Sequence, residues 1–558
     1  MNQMNKVVFI LYILLLQISC LGSEWITRAQ AQTCARQADG KIVVAGSATI
    51  NNSDQCVVAR YTDRGILDDT FGNVGIKTNK FGSYSQIQMI GIQSSDQKIV
   101  SIGNAYIDDV AYILLNRYDV NGVLDSQFGN NGTVTSVFED GSSASAFAFD
   151  QNGKIVVVGV RTKDGTPHLL LVRYNIDGSV DDSFGINGIV VTEIGFHSRA
   201  TDIIIQSDGT ILVSGYTLID SQNLFVLAKY STNGSPDIAF GSQGIVTTPL
   251  GSTAQALSMA RDSAGNIILA GASDKNLALV RYTPAGVQDA TFNGTGILIE
   301  NFDTRSQANA VVVDENDDIV VAGYVGTQLL LARYTNAGVL DSTFGDNATG
   351  YILFFLSAVS AAADVIIQPD GNIVVAGSAD KDFLVLRYSH DGIADNLWGF
   401  NGIVSGPGGN ISGTITQIWE QLSMGINAGT FTADVWQTRT LNMINASQGN
   451  RVTLNNNQFT LPAGQYSIYI SAPAYKVGNH QIRLRNITDD MTELVGTSAF
   501  SSDASVNNSL IDGLLSLNKS CAFEVQHRCS ISEPVDGLGV ATGFGENEIY
   551  TTVKIITK

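Results

Sequence analysis

Short apolar runs separated by tight polar turns recur along most of this chain, and nowhere do apolar residues follow the three-to-four-residue spacing of a helix. Residues 308–323 show the unit: an apolar run ending at Val313, the polar turn Asp314-Glu315-Asn316-Asp317-Asp318, and a second run from Ile319 to Gly323. Elsewhere the turn is Asp39-Gly40, Asn152-Gly153, Asp208-Gly209 or Asp370-Gly371. Such pairs readily take the positive φ angles of a two-residue hairpin, so the runs are predicted to be adjacent antiparallel strands. Residues 329–334 then form a third run, apolar almost without interruption because both of its faces are covered, and a fourth follows a Phe-Gly pair, as at 188–192 and 244–248.

The pattern repeats seven times at intervals of 52 to 57 residues, each copy marked by a basic residue followed by Tyr. Gly lies four, Asp seven and an aromatic residue ten positions after that Tyr. The triplets are Tyr61, Asp68 and Phe71; Tyr118, Asp125 and Phe128; Tyr174, Asp181 and Phe184; Tyr230, Asp237 and Phe240. They continue as Tyr282, Asp289 and Phe292; Tyr334, Asp341 and Phe344; Tyr388, Asp395 and Trp398. A fixed period of this length means one supersecondary unit stacked on copies of itself. Four antiparallel strands per unit, with both sheet faces apolar, predict a seven-bladed β-propeller over 32–405, because ring closure covers every face. The signature then has structural work: Gly makes a turn, Asp accepts backbone N–H groups, and the aromatic ring fills the gap between blades.

One asymmetry stands out. From the Gly near the end of the second run to the basic residue there are 14 positions in copies one to four and 10 in copies five to seven. The even difference keeps strand faces in register, so the connecting loop is expected to grow and raise one face over four blades. The tips expected to form a binding surface there carry Asn52 and Asp54, Asp108 and Asp109, Lys163 and Asp164, and Asp220 and Gln222. Neutral variation among duplicated repeats is the alternative.

The stretch Asp39 to Gly46, the Ala-Arg-Tyr at 59–61 and Gly65 to Gly72 resemble the delta-60 β-propeller repeat of large secreted or surface bacterial proteins. The resemblance implies the fold and carries no general enzymatic activity.

After 405 the composition changes. A Gly-rich linker is expected at 406–413, and the signature never recurs over 414–558. Runs at 451–454, 458–461, 466–471, 481–485, 521–526 and 549–556 predict a sandwich of short strands. The segments beginning Trp436-Gln437-Thr438, Leu461-Pro462-Ala463-Gly464, His480-Gln481-Ile482 and Gly543-Phe544-Gly545 resemble the jelly roll of the tumour necrosis factor and complement globular-head superfamily. That resemblance implies a homotrimer through 414–558, with Tyr466, Tyr469, Phe544 and Tyr550 in the core or at a threefold interface.

The N-terminus has Lys6 and then the apolar run Val7 to Leu16, the length of a secretory leader and too short to span a bilayer. A signal segment is expected at 1–31, cut after Ala31 or nearer Cys20; the second site opens lipid anchoring at Cys20 as an alternative, although Gln17 departs from such signals. A secreted or cell-surface location follows. The net charge of −20 repels phosphate backbones, which disfavours nucleic acid as a partner. Only 9 basic and 12 acidic residues fall in 412–558, so the charge belongs mainly to the rest.

Chemistry is sparse. The chain has five His and no nucleophile elbow, phosphate loop or Cys-x-x-Cys. His480 reads as a surface or strand-end residue. Asp119 to Asp125 has oxygen ligands at calcium-loop spacing, but the position of Asp119 is Thr, Asn or Ser in the other copies, so no cofactor is expected and calcium is the alternative. Cys521 and Cys529 lie too far apart along one strand to bond, and a Cys34–Cys56 disulfide is left open. The expected function is non-enzymatic binding or adhesion toward an extracellular protein or glycan. A glycan- or peptidoglycan-active enzyme using the axial face, or a structural envelope protein, are the rivals.

Overall fold

The computed structural model describes residues 20–557 apart from 22–23, 74, 346–348, 355–358, 380–381, 396–397, 399–402, 406–414, 424–425, 427, 447–451, 502–505, 534, 536 and 539–547. The expected linker therefore lies outside the described residues. The chain divides into two units, Met1–Gly409 and Asn410–Lys558. Every regular element among the described residues is a strand.

Seven sheets of consecutive antiparallel strands make up the first unit among the described residues. The first contains Cys20–Leu21, Glu24–Arg36, Ile42–Ile50, Ser53–Tyr61 and Ile76–Asn79; the seventh contains Ser360–Ile367, Ile373–Ala379, Asp382–Tyr388 and Ile403–Ser405. Both faces are covered, as the unbroken apolar runs predict: Val43, Ala45 and Val58 pack toward the second sheet, while Ile42, Val44 and Val57 pack toward Val374, Val385 and Trp398 of the seventh. Repeated four-stranded sheets, the last packed on the first, fit a β-propeller. Among the described residues no strand is exchanged at the closure, since Ile403–Ser405 pairs with Asp382–Tyr388.

The signature builds the joint between successive sheets. Each basic residue reaches the Asp eight positions on, at 2.5 to 3.1 Å, and lies over the signature ring. The six Arg residues also donate from Nη1 to a backbone carbonyl of the next sheet: Arg117 to Ile176 at 2.5 Å, Arg173 to Thr232 at 2.7 Å, and Arg387 back to Asp63 at 3.2 Å. Asp68 shows the balance of forces. Burial alone would raise its pKa, but hydrogen bonds from Thr70 and Lys41 and the Arg60 charge hold it at about 2. The signature Gly meets the ring of the preceding sheet, and a Cβ at Gly338 would lie 2.7 Å from Phe292.

Three expectations change. The four extra residues of sheets one to four do not enlarge a loop. They lengthen both strands of the hairpin, from seven residues each, as in Ile319–Val325 and Gln328–Tyr334, to nine each, as in Ile99–Ile107 and Val110–Tyr118. The turn keeps two residues, so the rim stands higher by two strand steps, about 7 Å. The propeller does not begin at 32 either. Ala29 and Ala31 are buried in the strand Glu24–Arg36, so the boundary expected after Ala31 falls inside an inner strand. Finally, Cys34 and Cys56 are free thiols on opposite faces of the first sheet, in separate cores, and cannot meet.

In the second unit one sheet holds Met443–Ala446, Ile415–Leu422, Glu548–Thr557, Gly464–Tyr475 and Val506–Leu517. The other is built on Thr453–Asn455, Gln458–Leu461, Cys521–Cys529, Gly478–Asn486 and Met491–Val495. Ile468, Ile511 and Val553 of one face Phe459, Leu484 and Phe523 of the other, which makes a sandwich. Tyr466 and Tyr550 are buried, donating from Oη to the carbonyls of Pro462 and Ile426, and Tyr469 is half-buried. Phe544 lies outside the described residues.

The joint predicts a contrast between two glycines with similar positive φ. Gly338→Ala, at φ +80° against Phe292, should destabilise the first unit by about 2 kcal/mol more than Gly165→Ala, at φ +73° with nothing within 4 Å. Urea denaturation of the two variants measures the difference.

Candidate functional site

Three places in the molecule bring together groups able to bind or react: the ring axis, the raised rim, and a buried histidine pair in the second unit.

Each inner strand of the first unit carries a β-bulge opposite a Gly of the second strand, for example between Ala200 and Asp202 opposite Gly215. A Cβ on that Gly would sit 1.9 Å from the Arg199 carbonyl, so only Gly lets the bulge approach. The bulge leaves a backbone N–H pointing toward the preceding sheet. Five of these are met by a side chain from that sheet: Thr33 Oγ1 accepts from Ile90, Met89 Sδ from Phe147, Asp202 Oδ2 from Met259, Ser258 Oγ from Val311, and Asp364 Oδ2 from Cys34. Ala146 and Ala310 have no acceptor to offer. The next sheets carry Asp202 and Asp364, whose second oxygens accept from their own neighbours Ile203 and Val365, both at 2.8 Å. Burial pushes the pKa of Asp202 up to about 6, with the charge of Asp364 adding to the effect, and burial also raises Asp364. Sequence reading missed this carboxylate pair. Its signal was acidic residues at a register where other repeats carry Ala, Ser, Thr or Met.

On the raised rim, Asn52, Asp108, Asp109, Asp164 and Asp220 occupy the exposed two-residue turns, all at positive φ. Asp54, Lys163 and Gln222 lie instead on the flanking strand ends, and Asp54 accepts from Thr49 Oγ1 at 2.5 Å. These residues come from four different sheets, each from its own hairpin. An open cleft of about 500 Å³ does form on the same rim between the second and third sheets, lined by Ser83, Tyr84, Gln86, Asn104, Tyr106 and Ser143. Of its lining residues, none is at a hairpin tip. The usable signal is the register pair Tyr84–Tyr106, which other repeats fill with Arg28–Thr49, Gly141–Thr162 or His197–Leu218.

Asp119, the calcium alternative, uses Oδ1 to accept the N–H groups of Asn121 and Val123, and Asp125 is engaged by Arg117 and Lys98. Among the described residues no three His, Cys, Asp or Glu side chains are placed to hold a metal ion.

His480 is not a surface residue. It is 2% exposed, and its Nδ1 lies 3.0 Å from Nε2 of His527, itself 0% exposed. The two outer ring nitrogens have no partner among the described residues, and the buried Arg439, paired with Glu420, lies nearby in charge. Burial first and Arg439 second depress His480 to about 4, and the same causes, with His480 added, depress His527 further.

Segments 37–71, 151–184, 206–240, 316–344 and 368–396 match a family model described as a domain of unknown function (DUF5122) beta-propeller. The first unit is a repeat β-propeller. Among solved structures, similarity extends to the polysaccharide lyase Uly1, at 10% identity and TM-score 0.40 over 67% of this chain and 94% of that one. It extends also to murine APRIL, at 10% identity and TM-score 0.18 over 26% and 99%, and to the globular domain of zebrafish complement 1qA protein, at 14% and 0.18 over 26% and 95%. No curated protein sequence matches the chain.

The titratable groups of the two units predict opposite responses to mild acid. Asp202 favours its protonated form in the fold, so its contribution grows as pH falls from about 6 toward its ordinary 3.8. Asp68, held at about 2, contributes fully above 3.8 and loses that contribution only below it. His480 and His527 stabilise the second unit fully above pH 6.5, and their contribution is lost as pH falls toward 4. Calorimetry between pH 7 and 4.5 should show the propeller transition held or raised and the sandwich transition lowered. In His527→Phe the downward shift should shrink.

Proposed function

We propose that this is an exported, non-enzymatic binding protein. A seven-bladed propeller carries an extracellular recognition surface on the raised rim of its first four blades, and a TNF-like jelly roll assembles three copies. The observation that carries the reading is the set of hairpins with nine-residue strands on four consecutive sheets against hairpins with seven-residue strands on the other three, with the cleft on the taller part. The rest of the repeat is held to fixed spacing by the joint, so this departure is where recognition can vary. Weak sites joined three to an assembly gain avidity without any new contact. The enzymatic alternative has one specific observation in its favour, the raised carboxylates Asp202 and Asp364. Against it, both oxygens of each already accept backbone N–H groups.

Trimerisation has a surface to use. Val495, Phe500 and Leu510 of the sandwich are each at least half exposed, apolar side chains that an interface could cover. Light scattering on the full chain at micromolar concentration should give the mass of three chains, and Leu510→Asp should give one. A single-chain mass for the unmodified protein would overturn the trimer.

Export is supported by the apolar run Val7 to Leu16, and the burial of Ala29 and Ala31 in the strand Glu24–Arg36 favours a cut before that strand. N-terminal sequencing of the protein recovered from cells should find the mature end at or before Glu24, with an acylated Cys20 in the lipid-anchored case. An end at Gln32 would remove Ala29 and Ala31 from the core and is the outcome that refutes this processing.

A further inference from the structure

We infer that the cleft between Tyr84 and Tyr106 is a subsite for one pyranose ring of a neutral glycan, an inference that rests on the binding-protein reading above. The two tyrosine rings meet edge to face, with centroids 5.8 Å apart and planes at 81°, so they line two sides of a corner. Tyr106 remains 43% exposed, so part of an aromatic side chain lines the open cleft. A pyranose presents an apolar C–H face to such a ring and directs hydroxyls outward around its edge. The cleft answers those hydroxyls with uncharged groups. Tyr84 Oη donates to Gln86 Oε1 at 2.5 Å, which occupies the amide oxygen and leaves the Gln86 Nε2 hydrogens and the Tyr106 hydroxyl as the donors of the lining.

The platform is also held in place before any ligand arrives. Ser83 donates to the Tyr106 carbonyl from both its N–H, at 2.9 Å, and its Oγ, at 3.2 Å. Asn104, beside it, clamps the third sheet by accepting from Ala144 N–H at 2.8 Å and donating to the Ala144 carbonyl at 3.3 Å. A rigid aromatic anchor loses little entropy on binding. The lining has no Lys or Arg, and a chain of net charge −20 disfavours uronates and sulfated sugars, which selects a neutral glycan. The volume of about 500 Å³ suits one or two sugar rings.

Isothermal titration of the full chain with cellotriose, mannotriose, galactotriose, chitotriose and trigalacturonate tests this. At least one neutral trisaccharide should bind and trigalacturonate should not. Tyr106→Ala should weaken binding about tenfold or more, and Gln86→Ala several-fold, while Tyr106→Phe stays within about threefold. Glu315→Ala, in an exposed turn at the opposite end of the strands from the rim, should bind as the unmodified protein does. The exposure of Tyr106 lets an unchanged melting temperature verify that the variant is folded. The same proteins are tested for binding to intact cells. If cells are bound but no neutral sugar is, or if a peptide library is captured instead, the glycan inference fails and the binding reading stands. If a sugar binds equally to Tyr106→Ala, the site is wrong. If neither cells nor sugars are bound, both readings fall.

Discussion

The propeller depends on a guanidinium held at a fixed place between two sheets. In six of the seven repeats Arg bonds its own Asp through one edge, covers its own aromatic ring with its face, and gives its remaining nitrogen to a carbonyl of the next sheet. Only a planar, forked cation can do all three, and the fourth repeat shows the cost of a substitute. Lys229 reaches Asp237 at 3.1 Å and sits 5.7 Å from the Phe240 ring, but makes no bond to the fifth sheet among the described residues. Ion pairs this buried add little net stability, because desolvation offsets attraction. What they supply is geometry. The spacing from Arg to Asp to aromatic cannot absorb an insertion, which is why none occurs.

A second constraint acts at the inner edge of the ring. Every bulge frees an N–H toward its neighbour, and seven such groups must all find acceptors in a place with little water. The chain solves this locally in five sheets and by compensation in two, where an Asp placed one sheet later covers the N–H that Ala cannot. The closure uses the same device, since Asp364 of the last sheet accepts from Cys34 of the first. Face packing, the Arg387 bond and this carboxylate therefore take the place of a strand shared between first and last sheets. An acidic pair near the axis that resembles acid–base machinery is sufficiently explained as backbone bracing.

The strands were legible in the sequence because burial on both faces writes unbroken apolar runs, and the sheets because the signature repeats. The lengthened hairpins were read as loops, since nothing in residues such as Tyr106 or Ile107 distinguishes a strand end from a turn until pairing is known. The inner strand Glu24–Arg36 was hidden by Ala29-Gln30-Ala31, which satisfies a small-residue cleavage pattern and a small-residue bulge equally well. In the sandwich, Val506–Leu517 is polar at its start and carries Gly513, yet it is a full twelve-residue strand because a long partner, Gly464–Tyr475, fixes it along its length. His480 read as a surface or strand-end residue because His527 is brought to it only by strand pairing, across 47 residues of sequence.

These misses share a cause that bears on function. A repeat reports what every copy needs, so its conserved spacing describes the joint and says nothing of a ligand. Sites must then be sought where one copy departs from the others without a structural reason. The carboxylates Asp202 and Asp364 depart, but their neighbours Ala146 and Ala310 supply the reason. Tyr84 and Tyr106 depart as well, and no neighbouring sheet needs two aromatic rings at that register, since the first and third manage with Arg28–Thr49 and Gly141–Thr162. Tyr106 stays 43% exposed, while Tyr84 is partly buried and bonded to Gln86. Surface of this kind, partly apolar and outside the joint, is where one copy is free to differ from the others without disturbing the fold.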